Sequence, residues 1–238
     1  MNKSILADMV TEKLRKEMGI VPRPLPAELT PLEKTLPPAR QRYDCALYQA
    51  EKLKKVSIIK TQRGETSAGS VIMMVGEDEY DLPFILVAVG FVSGEKNKIA
   101  VEFEAMPLVR DEQSTRKYVE PFRKWREAIG KLPSEPITGF SQPGEVWASN
   151  LSPTDYLRYV PNDYASEVLN LALQFFDIFL GIYRQATPVK DAERRRKMNA
   201  FRSEFNRNIL DQDPDGVILT QTFGRRLAEL FYSQLIYL

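Results

Sequence analysis

The chain has 238 residues, 43% hydrophobic and 10% aromatic, enough to bury a sizeable core, and its 33 basic and 32 acidic side chains nearly cancel. A net charge of +1 gives no global pull toward nucleic acid or an anionic membrane. Histidine is absent and cysteine occurs once, at Cys45, so Ser-His-Asp and Cys-His catalysis, His-ligated metals and internal disulfides are excluded together.

Any chemistry must therefore run on carboxylates, Tyr, Lys, Arg, Cys45 or a bound partner. Neither G-x-x-x-x-G-K-[ST] nor G-x-G-x-x-G occurs among the 12 glycines, which argues against nucleotide-driven chemistry. The N-terminus "MNKSILADMVTEKLRKEMGI" mixes charges along a helical apolar pattern, without the apolar core of a signal peptide, and no run of ~18 apolar residues follows. The expectation is a protein of a reducing compartment, cytoplasmic or a mature organellar form, with no membrane span, nucleic-acid partner or metal.

In chain order, residues 4 to 18 read as a short amphipathic helix with Ile5, Met9, Leu14 and Met18 roughly on one side. The six prolines between Val21 and Arg40 predict an extended arm lying over the domain. Four β-branched or apolar runs follow, at 54–62, 69–77, 84–92 and 98–106. The short connections between them predict an antiparallel meander, since parallel pairing needs a crossover of about a dozen residues. Val56 and Ile58 in the first run and Ile99, Val101 and Phe103 in the last alternate with polar residues; the middle runs do not alternate. That pattern predicts inner strands covered on both faces, hence helices on both sides of the sheet.

The helices are found downstream. Residues 111–132 carry Tyr118, Val119, Phe122, Trp125 and Ile129 at mostly helical spacing, with Pro121 at a break or near a start. After a turn-rich loop, "EVWASNL" reads as a further strand. Residues 162–186 form the most apolar helix, with Val168, Leu171, Ala172, Phe175, Phe179 and Ile182 as its buried stripe and Asp163 or Asn162 as cap. Residues 187–210 carry Thr187 as cap and Pro188 at the first helical position, and a last helix starts at about Asp215. Strands followed by helices define an α+β layered sandwich, expected as one domain over 1–238.

The order of several segments resembles the ferredoxin-dependent bilin reductases, which reduce biliverdin and its relatives to phytobilins. The segments are "PRPLPAEL", "QAEKLKKVSI", "YDLPF" (80–84), "FRKWREAIGKLP" (122–133) and "NRNILDQDPDGVILTQTFGRRLAELFYSQLIYL" (206–238). Asp-Pro, an apolar pair and then Phe-Gly before a closing helix are similar to the family's C-terminal signature, in the branch that makes phycoerythrobilin and phytochromobilin. The resemblance implies a three-layer α/β/α sandwich with a central antiparallel sheet. It further implies a linear tetrapyrrole held as substrate between the sheet and the C-terminal helices, with no tightly bound cofactor. Ferredoxin supplies electrons singly, nearby acids supply protons, and a monomer in the cytoplasm or plastid stroma is expected.

The family's Asp on the inner strand, counted from Asp81, falls on Ala88, and its usual His or Asn on the preceding strand falls on Val71. Its second Asp, in the Asp-Pro element, matches Asp213. Two of three polar positions are thus apolar, and the resemblance implies a divergent reductase with Val71 and Ala88 as pocket floor and Asp213 as the main catalytic candidate. Read from the residues alone, Asp213 is foremost a capping residue in a polar turn before a helix. Asp81 shapes the Leu82-Pro83 turn, and Asp78 and Glu79 are solvated. Glu102 and Glu104 share one sheet face and either replace the missing donor, with burial raising their pKa, or line an exposed face. Among the basic residues, Lys190, "RRRK" (194–197) and Arg202 included, Arg207 and Arg225 are the candidates for bilin propionates, the run alternatively meeting ferredoxin or forming a wet helix face. Phe205 is a candidate ligand contact, although stripes such as Phe175/Phe179 and Phe201/Phe205 also suit a core. Three readings remain: a divergent reductase, a non-catalytic bilin carrier, chaperone or sensor, and an assembly subunit on the same fold.

Overall fold

The computed structural model describes residues 5–36, 39–64, 67–92, 97–137 and 156–238. Among these, the strands are β1 (Val21–Arg23), β2 (Leu32–Leu36), β3 (Ala39–Ala50), β4 (Leu53–Arg63), β5 (Ser67–Gly76), β6 (Phe84–Val92), β7 (Lys98–Met106), β8 (Glu135–Pro136) and β9 (Tyr156–Pro161). They form one antiparallel sheet in the order β1-β3-β4-β5-β6-β7-β9-β8, with β2 also paired to β3. The four runs read from the sequence are its centre. The proline-rich arm differs from expectation: two of its segments join the sheet by pairing with opposite ends of β3, itself a strand that the polar "ARQRYDCALYQA" conceals. The predicted strand "EVWASNL" and Trp147 lie outside the described residues.

Inner-strand side chains point alternately into two apolar layers, as the lack of alternation in β5 and β6 requires. Toward one side go Ile72, Met74, Ile85, Val87, Val89, Val101 and Phe103; toward the other go Met73, Val75, Phe84 and Met106. The first layer is covered by α1 (Ile5–Met18) and the broken segment that contains α2 (Glu112–Ser114) and α3 (Arg123–Ile129), interrupted around Pro121 as expected. It is completed by α4 (Ala165–Gln185). Phe103, Phe122, Trp125 and Phe175 interlock there with ring centroids 4.6–5.5 Å apart. In α1 the buried stripe is Leu6, Val10 and Leu14 with Ala7, an i, i+4, i+8 row, and Met9 faces outward. Helix α4 is long and apolar enough to cross a membrane by length and composition, yet Phe175, Phe176, Phe179 and Leu180 are buried against the sheet. Its expected cap is not made: Asn162–Tyr164 form a 3-10 turn with no side-chain hydrogen bond to the helix start. Its far end is closed by Lys52, whose Nζ donates to the carbonyls of Tyr183 (3.1 Å) and Ala186 (2.8 Å).

The second layer is covered by three C-terminal helices, α5 (Ala192–Gln212), α6 (Pro214–Phe223) and α7 (Arg225–Leu235). Helix α5 starts four residues later than predicted. Pro188 bridges Tyr80 and the Val189 N–H donates to Glu79 O (2.7 Å), so Thr187–Val189 stay extended and Asp191 becomes the cap. The single last helix read from the sequence is two, because Gly224 at φ +87° lets the chain fold back between α6 and α7.

Two connections fix this layer to the sheet. On β4, buried Ser57 donates from Oγ to Leu235 O (2.6 Å) and Lys55 from Nζ to Ser233 O (3.3 Å), satisfying carbonyls at the end of α7. Ser57→Ala leaves a buried carbonyl unpaired and is expected to cost about 1–3 kcal/mol in urea unfolding. At the other connection, Arg194 and Arg202 of α5 reach the β5–β6 turn. Arg194 holds the buried Asp81 carboxylate from Nε (2.6 Å) and Nη2 (2.5 Å), and also bonds Asp111 (2.9 Å) and Ser114 (2.8 Å). Arg202, buried, donates to the carbonyls of Glu77 and Asp78 (3.3 Å each). The acidic "EDEYD" turn is thus a docking point for α5, held by Arg194 of the basic run and by Arg202 further along the helix.

Candidate active site

Antiparallel register places two rows of small or apolar residues across the face beneath α5–α7. One row is Ile59, Val71, Ala88, Glu102 and Leu157; the next is Thr61, Gly69, Gly90, Ala100 and Tyr159. At about 4.8 Å between strands, each row runs about 19 Å from β4 to β9. Residues of these strands on the opposite face, such as Ile72, Val87, Val89 and Val101, are buried, whereas Val71, Ala88, Gly90, Ala100 and Glu102 remain half-buried. The C-terminal helices therefore leave this part of the sheet partly open. Gly69 sets the depth of the floor, since a Cβ there would stand 2.9 Å from both Gly90 Cα and Val89 O. The result is a long, flat, largely apolar floor with one carboxylate, Glu102, within it.

Val71 and Ala88 are directly opposite each other, and Ala88 is directly opposite Glu102. Glu104, opposite Leu86, is on the same face and buried. The alternative of two glutamates on an exposed face does not hold. They point beneath the C-terminal helices because i, i+2 residues of a strand share a side, and Val71 and Met73 identify that side as inner.

Asp213 lies at the corner between α5 and α6. It caps α6, Oδ1 accepting the Asp215 N–H (3.0 Å), while Oδ2 accepts the Tyr232 hydroxyl (2.5 Å) from α7. The capping role and a special environment thus coexist at one side chain. Burial first, and the neighbouring Asp215 second, push its carboxyl up to about 7, against the lowering effect of the Tyr232 and Asp215 hydrogen bonds. Asp215 in turn interacts with Arg63 on β4 and with Tyr43 on β3, and Tyr43 packs edge-on against Phe223 and Phe231. Because Tyr43 pairs with Thr61 and Thr61 with Gly69, this cluster stands at the β3 end of the glycine row.

Three sequence candidates fall elsewhere. Phe205 is buried against Phe84, at 5.7 Å between ring centroids, and Phe84 is four residues along β6 from Ala88, a distance of about 13 Å. It is a core residue. Arg207 is exposed on the outer side of α5, two residues and so about half a turn from the inward Phe205 and Ile209. Arg225, also exposed, is engaged by Asp211 and, from Nε, by Glu229 (2.7 Å). Neither arginine faces the floor; the amphipathic pattern of α5 and the i, i+4 spacing of Arg225 with Glu229 contain this information. Tyr232, Tyr43 and Arg63 were not legible as site residues, since Asp213 and Tyr232 meet only because the chain folds back at Gly224.

Residues 7–237 match the sequence profile of the ferredoxin-dependent bilin reductases, and the chain belongs to that family. It is 23% identical over 190 residues to 15,16-dihydrobiliverdin:ferredoxin oxidoreductase from Gloeobacter violaceus, covering 80% of this chain and 76% of that one. It is 24% identical over 204 residues to the protein of the same name from Nostoc punctiforme, covering 84% and 79%. Its fold is that of tomato phytochromobilin synthase, solved in complex with biliverdin, with a TM-score of 0.76 at 12% identity over 97% of this chain and 80% of that one.

Proposed function

We propose that the protein is a divergent ferredoxin-dependent reductase of a linear tetrapyrrole, with Asp213 and Glu102 supplying protons to a bilin lying along the small-residue rows. The observation that carries this reading is the register of β6 and β7. Ala88, at the place of the family's inner-strand acid, has Glu102 as its direct cross-strand neighbour on the same face. Cβ atoms of such pairs are about 4.5–5.5 Å apart, and a glutamate has one more methylene than an aspartate, so the carboxyl function is moved one strand over rather than lost.

The chemistry requires such groups. The first electron from ferredoxin leaves a radical on the conjugated tetrapyrrole and the second returns it to a closed shell, so reduction of one double bond consumes two electrons and two protons. A carboxylic acid that is still protonated near neutral pH is suited to deliver one of them, as the raised pKa of Asp213 allows. The flat floor of Val71, Gly69, Ala88, Gly90 and Ala100 offers packing to the rings without competing hydrogen bonds.

Glu102→Gln is expected to lower turnover of biliverdin with reduced ferredoxin by about 10²–10⁴-fold while leaving the binding titration unchanged. Undiminished turnover removes Glu102 from the proton path. A second reading, a bilin carrier without turnover, is favoured by the apolar Val71–Ala88 pair; wild-type protein that binds bilin but never converts it would establish it.

A further inference from the structure

We propose that Tyr232 is a positioning residue for Asp213, holding in place the carboxyl oxygen, Oδ2, that carries the transferable proton; this rests on the reading of Asp213 as a proton donor. The hydroxyl of Tyr232 donates to Asp213 Oδ2 at 2.5 Å, and the backbone N–H of Asp215 donates to Oδ1 at 3.0 Å. A backbone N–H can only donate, so Oδ1 is committed as an acceptor in either protonation state. A tyrosine hydroxyl both donates and accepts, so a proton on Oδ2 is tolerated by its neighbour. Neutral Asp213 therefore carries its proton on Oδ2.

The surroundings hold this arrangement. Tyr232 is fully buried, its ring 6.2 Å from those of Phe231 and Tyr237. Its hydroxyl is seated against the start of α6, where a Cβ on Gly216 would come within 2.9 Å of the hydroxyl oxygen and 2.3 Å of Leu210 O. Gly216 thus leaves the space through which a side chain of α7 reaches the corner between α5 and α6. The charged and titratable groups bearing on Asp213 and Tyr232 are Asp215 on α6, Arg63 on β4 through Asp215, and Tyr43 on β3. Tyr232 itself donates its hydroxyl hydrogen directly to the carboxyl. That bond favours the ionised carboxylate, so its loss must raise the pH at which Asp213 ionises.

The test uses Tyr232→Phe, which keeps the ring and removes the hydroxyl, with two readouts. The first is infrared titration of the protonated-carboxyl stretch in the bilin-free protein, assigned to Asp213 by its disappearance in Asp213→Asn. The expected result is an upward shift of about 1–2 pH units, the worth of one hydrogen bond to a charged group. The second is turnover, where kcat is expected to fall about tenfold or more, with KM for bilin unchanged and the alkaline limb of the kcat profile moved the same way. Should Tyr232→Phe fail to accumulate, fluorotyrosine at position 232, a stronger donor of nearly the same shape, is expected to move the infrared midpoint downward. An infrared midpoint that does not move in either protein overturns the proposal. A shifted midpoint in a protein whose wild type does not reduce bilins keeps the positioning of the proton and overturns the reductase reading alone.

Discussion

Arg194→Ala is expected to destabilise the protein by about 3–5 kcal/mol, one of the largest effects of any single substitution on its surface-facing helices. The Asp81 carboxylate is 4% exposed, and the Arg194 guanidinium that bonds it is 13% exposed. Removing the guanidinium leaves a charge in a place water barely reaches. The same substitution also frees Asp111, which caps the Glu112–Ser114 turn, and Ser114. Arg194→Lys is expected to recover only part of the loss, since one ammonium cannot replace a fork that meets Asp81, Asp111 and Ser114 together. Urea unfolding of the two variants checks this; a loss below about 1 kcal/mol, typical of exposed ion pairs, would contradict a buried clamp. Because this clamp holds α5 to the β5–β6 turn, a weakened clamp is also expected to loosen the roof over Val71 and Ala88.

Asp213→Asn is expected to lower turnover by about 10²–10⁴-fold while preserving the fold and bilin binding. Asparagine is as good a helix cap as aspartate, so the Asp215 N–H keeps its acceptor, and the amide can donate to the Tyr232 oxygen. Only the proton is missing. For the wild type, a donor that ionises at about 7 should make turnover fall as the pH rises through that value. The stability effect has its own sign. A carboxyl raised in the folded state favours folding while it is protonated, and that contribution is lost as the pH climbs from about 4 through about 7. Asp213→Asn should therefore gain stability relative to wild type as the pH rises from about 4 to about 8, by thermal melts. Full activity in this variant would exclude Asp213 as a proton donor.

The central sheet was legible because its signals are local: β-branched runs, short turns and the alternation of Val56, Ile58, Ile99 and Val101 identify strands, faces and antiparallel pairing. Strand β3 was not, since Arg42, Asp44 and Gln49 dilute its pattern, and β2 beside it draws on a proline-rich arm that reads as coil. The α6–α7 break hung on one residue, Gly224, within an otherwise continuous apolar pattern. At the candidate site, Val71, Ala88 and Asp213 follow from the order of segments shared with the family, and Glu102 from its alternation with Val101 and Phe103. Its place opposite Ala88 is a matter of register, which the length of the β6–β7 connection alone does not determine. Tyr232 and the roles of Arg194 and Arg202 depend on contacts across 19, 113 and 124 residues, and such pairings leave no trace in a single sequence.

The most direct measurement is an absorbance titration of the wild-type protein with biliverdin, followed in the same cuvette by anaerobic reduced ferredoxin. Saturable binding and progressive conversion to a reduced bilin, both weakened together when Ala100→Leu fills the floor, is the predicted result. Binding that saturates without any spectral conversion would contradict the assignment of Asp213 and Glu102 as proton donors and leave a carrier.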